Sequence, residues 1–296
     1  MQSIRILSLL VIGLVLGLPG FVGHSLAVAA PEETLLGEES LFSEGLISPE
    51  ANAAARKTWP KLGAAPGEIL RFNIHWIGVP GGKATMRLDA PKPDLFFITA
   101  TLESIGVVKW FHPVEDLLKS SGIRLPDSWS AIHYIKKQLK DGRYRLTDHQ
   151  FIREEEVVLR QLDKGRIERV QQVSAEANDP LTVVYALRAR EDFKPGAKLK
   201  LPIMDGKKHY EALVSVGEAK DIATPLGWFQ AYPAEIRVKY SDLFRHSGAI
   251  TIWFTDDDRR LPIRVEANVK VGVAAADLTY YEDGRGGRGE IEEESE

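Results

Sequence analysis

Outside the first thirty residues the chain has six histidines, His75, His112, His133, His149, His209 and His246, the side chains best suited to bind a metal or pass a proton near neutral pH. No two stand at a spacing that suggests shared ligation, and no cysteine is present to complete a set. Asp256-Asp257-Asp258 offers oxygens to calcium, but it lacks the further spaced ligands of a calcium loop and reads as a solvated hairpin turn. No serine lies in a Gly-x-Ser-x-Gly elbow, and the neighbours His246-Ser247 do not amount to a triad, which is assembled in space. The glycines between Gly78 and Gly82 are not followed by Lys-Ser/Thr at a helix start, so they form no phosphate cradle. With 42 acidic residues, carboxylate pairs are plentiful and none is singled out as acid or base. The reading is a non-enzyme with no metal and no cofactor, a hydrolase whose residues meet only in space being the most distant alternative.

Aromatic residues are more suggestive. Phe72, Trp76, Phe96, Trp110, Phe111 and Tyr185 all fall on apolar faces of expected elements, where they either line a cavity for an apolar ligand or fill a core. The first of those elements is a hairpin from Gly67 to Ala90. Leu70, Phe72, Ile74 and Trp76 alternate with Arg71, Asn73 and His75, and Ala84, Met86 and Leu88 alternate with Lys83, Thr85 and Arg87. The turn formers Gly78-Val79-Pro80-Gly81-Gly82 lie between them. A third run at Phe96, Ile98, Ala100 and Leu102 makes this a meander.

Farther on, Val107 to Ser121 has apolar spacing nearer to a helix, with Pro113 at its start. Two polar hairpins follow, Ala131 to Leu146 turning at Asp141-Gly142 and Glu155 to Val173 turning around Asp163-Lys164-Gly165. Asp179 and Pro180 are the residues a helix start prefers, and the helix they open runs to about Arg190 with Leu181, Val184, Tyr185 and Arg188 on one face. It is expected to cover an open side of the sheet. Alternating strands then continue to Tyr281. About ten to twelve strands with one or two short helices give an all-β, mainly antiparallel fold. A curved, half-closed or closed barrel-like sheet is expected, with a two-sheet sandwich as the alternative.

The ends have other tasks. Arg5, the apolar run Ile6 to Val22 and Ala27-Val28-Ala29 have the order of a secretory signal peptide, cleaved after residue 29. Export to the periplasm follows, and with no cysteine the product is not a lipoprotein and has no transmembrane segment once cleaved. Residues 30–66 read as a flexible linker, 67–281 as a single β-rich domain, and 282–296 as a disordered acidic tail with seven acidic and two basic residues. Because that tail holds the chain's excess of acid, the body is near neutral, which leaves neither nucleic acid nor an anionic membrane with strong electrostatic support as a partner.

Several turn motifs in order carry a resemblance. They are Gly67-Glu68-Ile69-Leu70 with Trp76 to Gly82; Asn178-Asp179-Pro180-Leu181 with Tyr185; Pro202 with Asp205-Gly206-Lys207; Thr224-Pro225-Leu226-Gly227; and Trp253-Phe254-Thr255-Asp256-Asp257 with Arg259-Arg260-Leu261-Pro262. Together they resemble an uncharacterised bacterial family of exported proteins, the one catalogued as "domain of unknown function 3108", over nearly all of Gly67 to Tyr281. The resemblance implies an exported, mostly β protein of diderm bacteria and hands over no activity. More distantly, the architecture is similar to the half-barrels that carry lipoproteins or lipids across the periplasm, and a fold does not fix a function. Two functions stay open: a periplasmic binding or carrier module for an apolar ligand or lipid, and an envelope assembly factor acting through protein–protein contacts. A large dry cavity favours the first, and a filled interior beside an exposed apolar patch the second.

Overall fold

The computed structural model describes residues 48–291 apart from 112, 126–127, 141, 163–164, 239–249 and 269–271, and the expected leader lies outside the described residues. The opening alternation is realised. In β1 (Glu68–Trp76) Leu70, Phe72 and Ile74 are buried while Arg71 and Asn73 face solvent, and β2 (Val79–Asp89) answers with Ala84, Met86 and Leu88. The turn between them is shorter than expected. Trp76 pairs with Val79, so Ile77 and Gly78 alone reverse the chain, at φ 50° and 77°. This two-residue reversal with both φ values positive matches the twist of the flanking strands.

β3 (Leu95–Ser104), β4 (Glu115–Leu125), β5 (Ser128–Lys140), β6 (Arg143–Ile152), β7 (Val157–Leu162) and β8 (Ile167–Val170) continue the meander, each paired with its predecessor. A second meander comprises β9 (Lys198–Asp205), β10 (Lys208–Val216), β12 (Gly227–Val238), β13 (Ile250–Thr255), β14 (Pro262–Asn268) and β15 (Val273–Asp283). The short β11 (Lys220–Thr224) lies on β12, and β16 (Arg288–Glu290) on β15. Because β15 pairs with β1, the two meanders form one antiparallel sheet with β8 and β9 at its margins. The fold is all-β as expected, a single large sheet that curves without closing into a barrel.

Of the helices α1 (Pro49–Arg56), α2 (Gly106–Phe111) and α3 (Pro180–Ala189), the second corrects the sequence reading. The expected helix of Val107 to Ser121 is six residues of helix and then strand β4. Asp116, Leu118, Ser120 and Gly122 point inward, so the true period is two, concealed because two of the inward positions are polar. Gly122 is required there. A Cβ would lie 2.1 Å from the Ser130 carbonyl oxygen and 2.7 Å from Phe96, which covers it.

Both ends of the domain also extend further than expected. Ser48 caps α1, Asn52 donates to Asp89 at 2.7 Å and accepts from the Ala90 amide at 2.8 Å, and Trp59 donates to the Pro93 carbonyl at 2.8 Å. Residues 48–66 are thus packed rather than a linker. Of the expected tail, β16 pairs with β15, and Arg285 donates to the carbonyls of Gly63 and Pro60, both at 2.9 Å. These are polar contacts to backbone and side-chain groups, which leave no hydrophobic period in a sequence.

Helix α3 runs through the interior instead of covering an opening. Eight of its ten residues are buried, and it packs against β3, β4 and β5 on one wall and β9 on the other. A helix enclosed this way is apolar nearly all round. Its approach joins the sheet margins. The Asn178 backbone makes a single parallel bridge to β9, its amide donating to Pro202 O and its carbonyl accepting from the Met204 amide. The Asn178 side chain grips β5, accepting from the Ala131 amide at 2.7 Å and donating to Trp129 O at 2.8 Å. Lys136–Asp205 (2.7 Å) and Lys207–Glu168 (3.1 Å) cross the same seam. Side chains, rather than a ladder, hold the margins together.

Candidate functional site

Of the six aromatic residues singled out by sequence, the structure brings three inside. Phe72 on β1, Phe96 on β3 and Tyr185 on α3 are buried. Trp76 is only partly buried, and Phe111 closes α2 with its side chain outside the described part. Trp110 stands 86% exposed and joins no interior group. The residue that organises the interior rings was missed. Trp129, at the start of β5, meets Phe96 at 4.8 Å, Tyr185 at 5.8 Å and Trp59 at 5.3 Å between centroids. Its sequence neighbourhood is polar, so no apolar run announced it. A second cluster packs Phe193 edge-on to Tyr232 and Phe254 at 5.4 and 5.1 Å. These rings, with α3 between them, fill the hollow of the curved sheet.

The polar groups inside are paired to one another. The Asp179 carboxylate, fully buried, accepts from the amides of Leu181 and Thr182 and from the hydroxyls of Thr182 and Ser120, at 2.6 to 3.1 Å. Burial raises its pKa against the pull of those bonds. Ser120 is therefore a donor to a helix cap, with no histidine beside it in that cluster. Arg188 makes a bidentate pair with Glu68, both bonds 2.7 Å and both side chains buried, and donates also to Arg259 O. At the seam, His149 donates from Nε2 to Gly206 O at 3.1 Å, and burial pulls its pKa down to about 4. Burial likewise pushes the Tyr134 phenol far up. Such groups tie β1, β4, β5 and β6 to α3 and β9, which is structural work. Among the described residues, no three of His, Asp and Glu are placed to hold a metal.

The outer face carries an open groove. Lys83 and Thr85 of β2, Thr101 and Glu103 of β3, Glu115 and Leu117 of β4, Lys137 of β5 and Tyr144 of β6 line this groove of about 410 Å³. These are the outward positions of strands whose other residues form the core. Lys137 sits over the Tyr144 ring at 4.4 Å, and a hydrogen bond to Glu115 raises the Tyr144 phenol. The groove thus presents charge of both signs, a ring and an aliphatic floor. Beyond the groove, at the same end of the sheet, exposed apolar side chains collect around α2.

Comparison with known proteins agrees with the architecture. The solved "Beta-barrel-like Protein of Domain of Unknown Function DUF1849" from Brucella abortus superposes with a TM-score of 0.51 at 9% identity, over 75% of this chain and 99% of that one, a likeness of fold alone. A DUF1089 family protein from Pseudomonas aeruginosa reaches a TM-score of 0.36 at 11% identity, over 64% and 90% of the two chains. No curated protein matches the sequence. A family model does match, over residues 71–279, and by that match the chain belongs to the family described as "Protein of unknown function (DUF3108)".

Proposed function

We propose that the protein is an exported, non-enzymatic component of the cell envelope that acts as an assembly factor, meeting a protein partner on its outer face and holding no ligand within. One observation carries this reading: the hollow of the curved sheet is occupied by α3 and the rings of Phe96, Trp129, Tyr185, Phe193 and Phe254. A carrier of the same architecture keeps that space for cargo. The leader-like first 29 residues support delivery to the periplasm. The groove of β2 to β6, with Lys83 and Lys137 facing Glu103 and Glu115, supplies a surface on which an extended segment of a partner finds charge of either sign and the Tyr144 ring.

Native mass spectrometry of protein purified from its own envelope tests the reading, together with a photo-reactive residue placed at position 144 or at position 72. The expected mass is that of the chain from Ala30 without lipid, with cross-links to a polypeptide from 144 and none to lipid from 72. A stoichiometric co-purified lipid that cross-links from position 72 would overturn the proposal in favour of a carrier.

A further inference from the structure

We propose that the end of the sheet bearing α2 seats on an anionic lipid bilayer, with Trp110, Val107, Ile77, Val79 and Val273 entering the interface. Singly exposed apolar residues are ordinary, but these five converge. Ile77 and Val79 form the tip of the β1–β2 hairpin, Val107 and Trp110 project from α2 in the β3–β4 connection, and Val273 opens β15. The three connections touch. The Ile77 amide donates to Val273 O at 3.0 Å, the Ile105 amide just before α2 donates to Gly81 O at 3.1 Å, and Ile77 lies over Gly272, where a Cβ would come within 2.6 Å of it.

Ile77 is the most telling of the five. A β-branched residue at φ 50° is strained, and that position of such a turn ordinarily takes Asn, Asp or Gly. Here the strain displays an isoleucine, 58% exposed, at the outermost point of the hairpin.

Charge selects the occupant. Lys83, Lys109, Lys137, Arg143 and Arg145 are exposed at this end, against exposed Glu103 and Glu115. A basic rim around apolar tips fits a surface of negative headgroups over an acyl layer. The tips stand on separate protruding elements, and a deformable interface accommodates them without the matched hollows that a protein partner would need. Tryptophan, apolar in body and polar at one edge, is a favoured residue at that depth. The inference shares with the proposed function the export of the chain and the charged residues Lys83, Glu103, Glu115 and Lys137 that border the groove, and vesicles with purified protein test it without reading any partner contact.

Flotation of the full mature chain with vesicles of phosphatidylglycerol or of phosphatidylcholine is the experiment. The parent should float with phosphatidylglycerol and not with phosphatidylcholine, and about 0.5 M salt should release it. Trp110→Ala should weaken the partition by about tenfold or more, and Lys109→Glu should weaken it too. Trp228→Ala should bind like the parent, since Trp228 is 75% exposed but lies at the β11–β12 turn, the opposite end of β12. All three substitutions alter exposed side chains, and coincident thermal melts verify the fold. Absence of flotation, equal loss in Trp228→Ala, or a Trp110-dependent soluble dimer without vesicle binding would each overturn the proposal.

Discussion

Replacing Asn178 with alanine is the sharpest test of how the sheet is held shut. The side chain makes three hydrogen bonds: from the Ala131 amide (2.7 Å), to Trp129 O (2.8 Å) and from the Arg153 guanidinium (3.1 Å). Asn178 is 7% exposed and Ala131 fully buried, so water cannot readily replace them. Arg153 keeps other acceptors, including Ala131 O and Ala177 O. The Ala131 amide and the Trp129 carbonyl do not gain substitutes. Each orphaned buried group costs about 1 to 3 kcal/mol, so Asn178→Ala should lose roughly 2 to 6 kcal/mol. For a domain of this size the melting temperature should fall by roughly 4 to 24 °C. The backbone bridge of residue 178 to β9 survives the change, which makes the expected damage local. Urea titration should show a lower midpoint at unchanged slope, and hydrogen exchange should accelerate first at Ala131. Asn178→Asp should also be destabilised, because an oxygen would then face Trp129 O. A loss below about 1 kcal/mol, or exchange that rises evenly over the sheet, would refute the view that this side chain fastens the seam.

Three further outcomes follow from the buried groups and the ends. The His149 pKa in the fold lies below that of the unfolded chain, so its contribution is fully present above about pH 6.5 and is lost as the pH falls toward 4, about 3 kcal/mol in all; a His149→Phe variant that keeps the same acid slope in denaturation experiments would contradict this. Glu68→Gln should cost about 3 to 5 kcal/mol by leaving Arg188 buried and unpaired, and Glu68→Leu combined with Arg188→Leu should recover a good part of it; a double variant as unstable as the sum of its singles would show that the two do not act as a pair. Truncation after Tyr281 should lower the melting temperature because it removes β16 and Arg285, whereas truncation after Ile291 should not; coincident melts for the first truncation would return these residues to the status of a loose tail.

The meander was legible because Leu70, Phe72 and Ile74 alternate cleanly with solvent-facing neighbours. The start of α3 was legible too, since Asp179 followed by Pro180 is a local signal that needs no tertiary partner. What the sequence concealed depends on partners far away. Asp116 and Ser120 look like surface residues of a helix until Gln138 and Asp179 are seen to claim them. Ile77 hid the turn because an isoleucine seldom occupies such a position. Inside, Phe72, Phe96 and Tyr185 were recognisable from their apolar faces, but Trp129 was not, and Glu68 and Arg188 meet across 120 residues. Trp110 looked like the others in an apolar pattern, and only the fold reveals that its stretch leaves the sheet.

The division of the sheet into two meanders sets an order for folding. Within each, every strand pairs with a close neighbour in sequence, so the loops closed are short and their entropy cost small. The β1–β15 ladder is of another kind. It pairs residues as far apart along the chain as Glu68 and Asp283, and it is the one ladder among the described strands that joins the halves. Two half-sheets can therefore zip early and merge late, enclosing α3 as they meet. Until then β1 carries an unpaired edge, a hazard for any chain released gradually with its N-terminus first. The strand that relieves it, β15, is among the last to arrive.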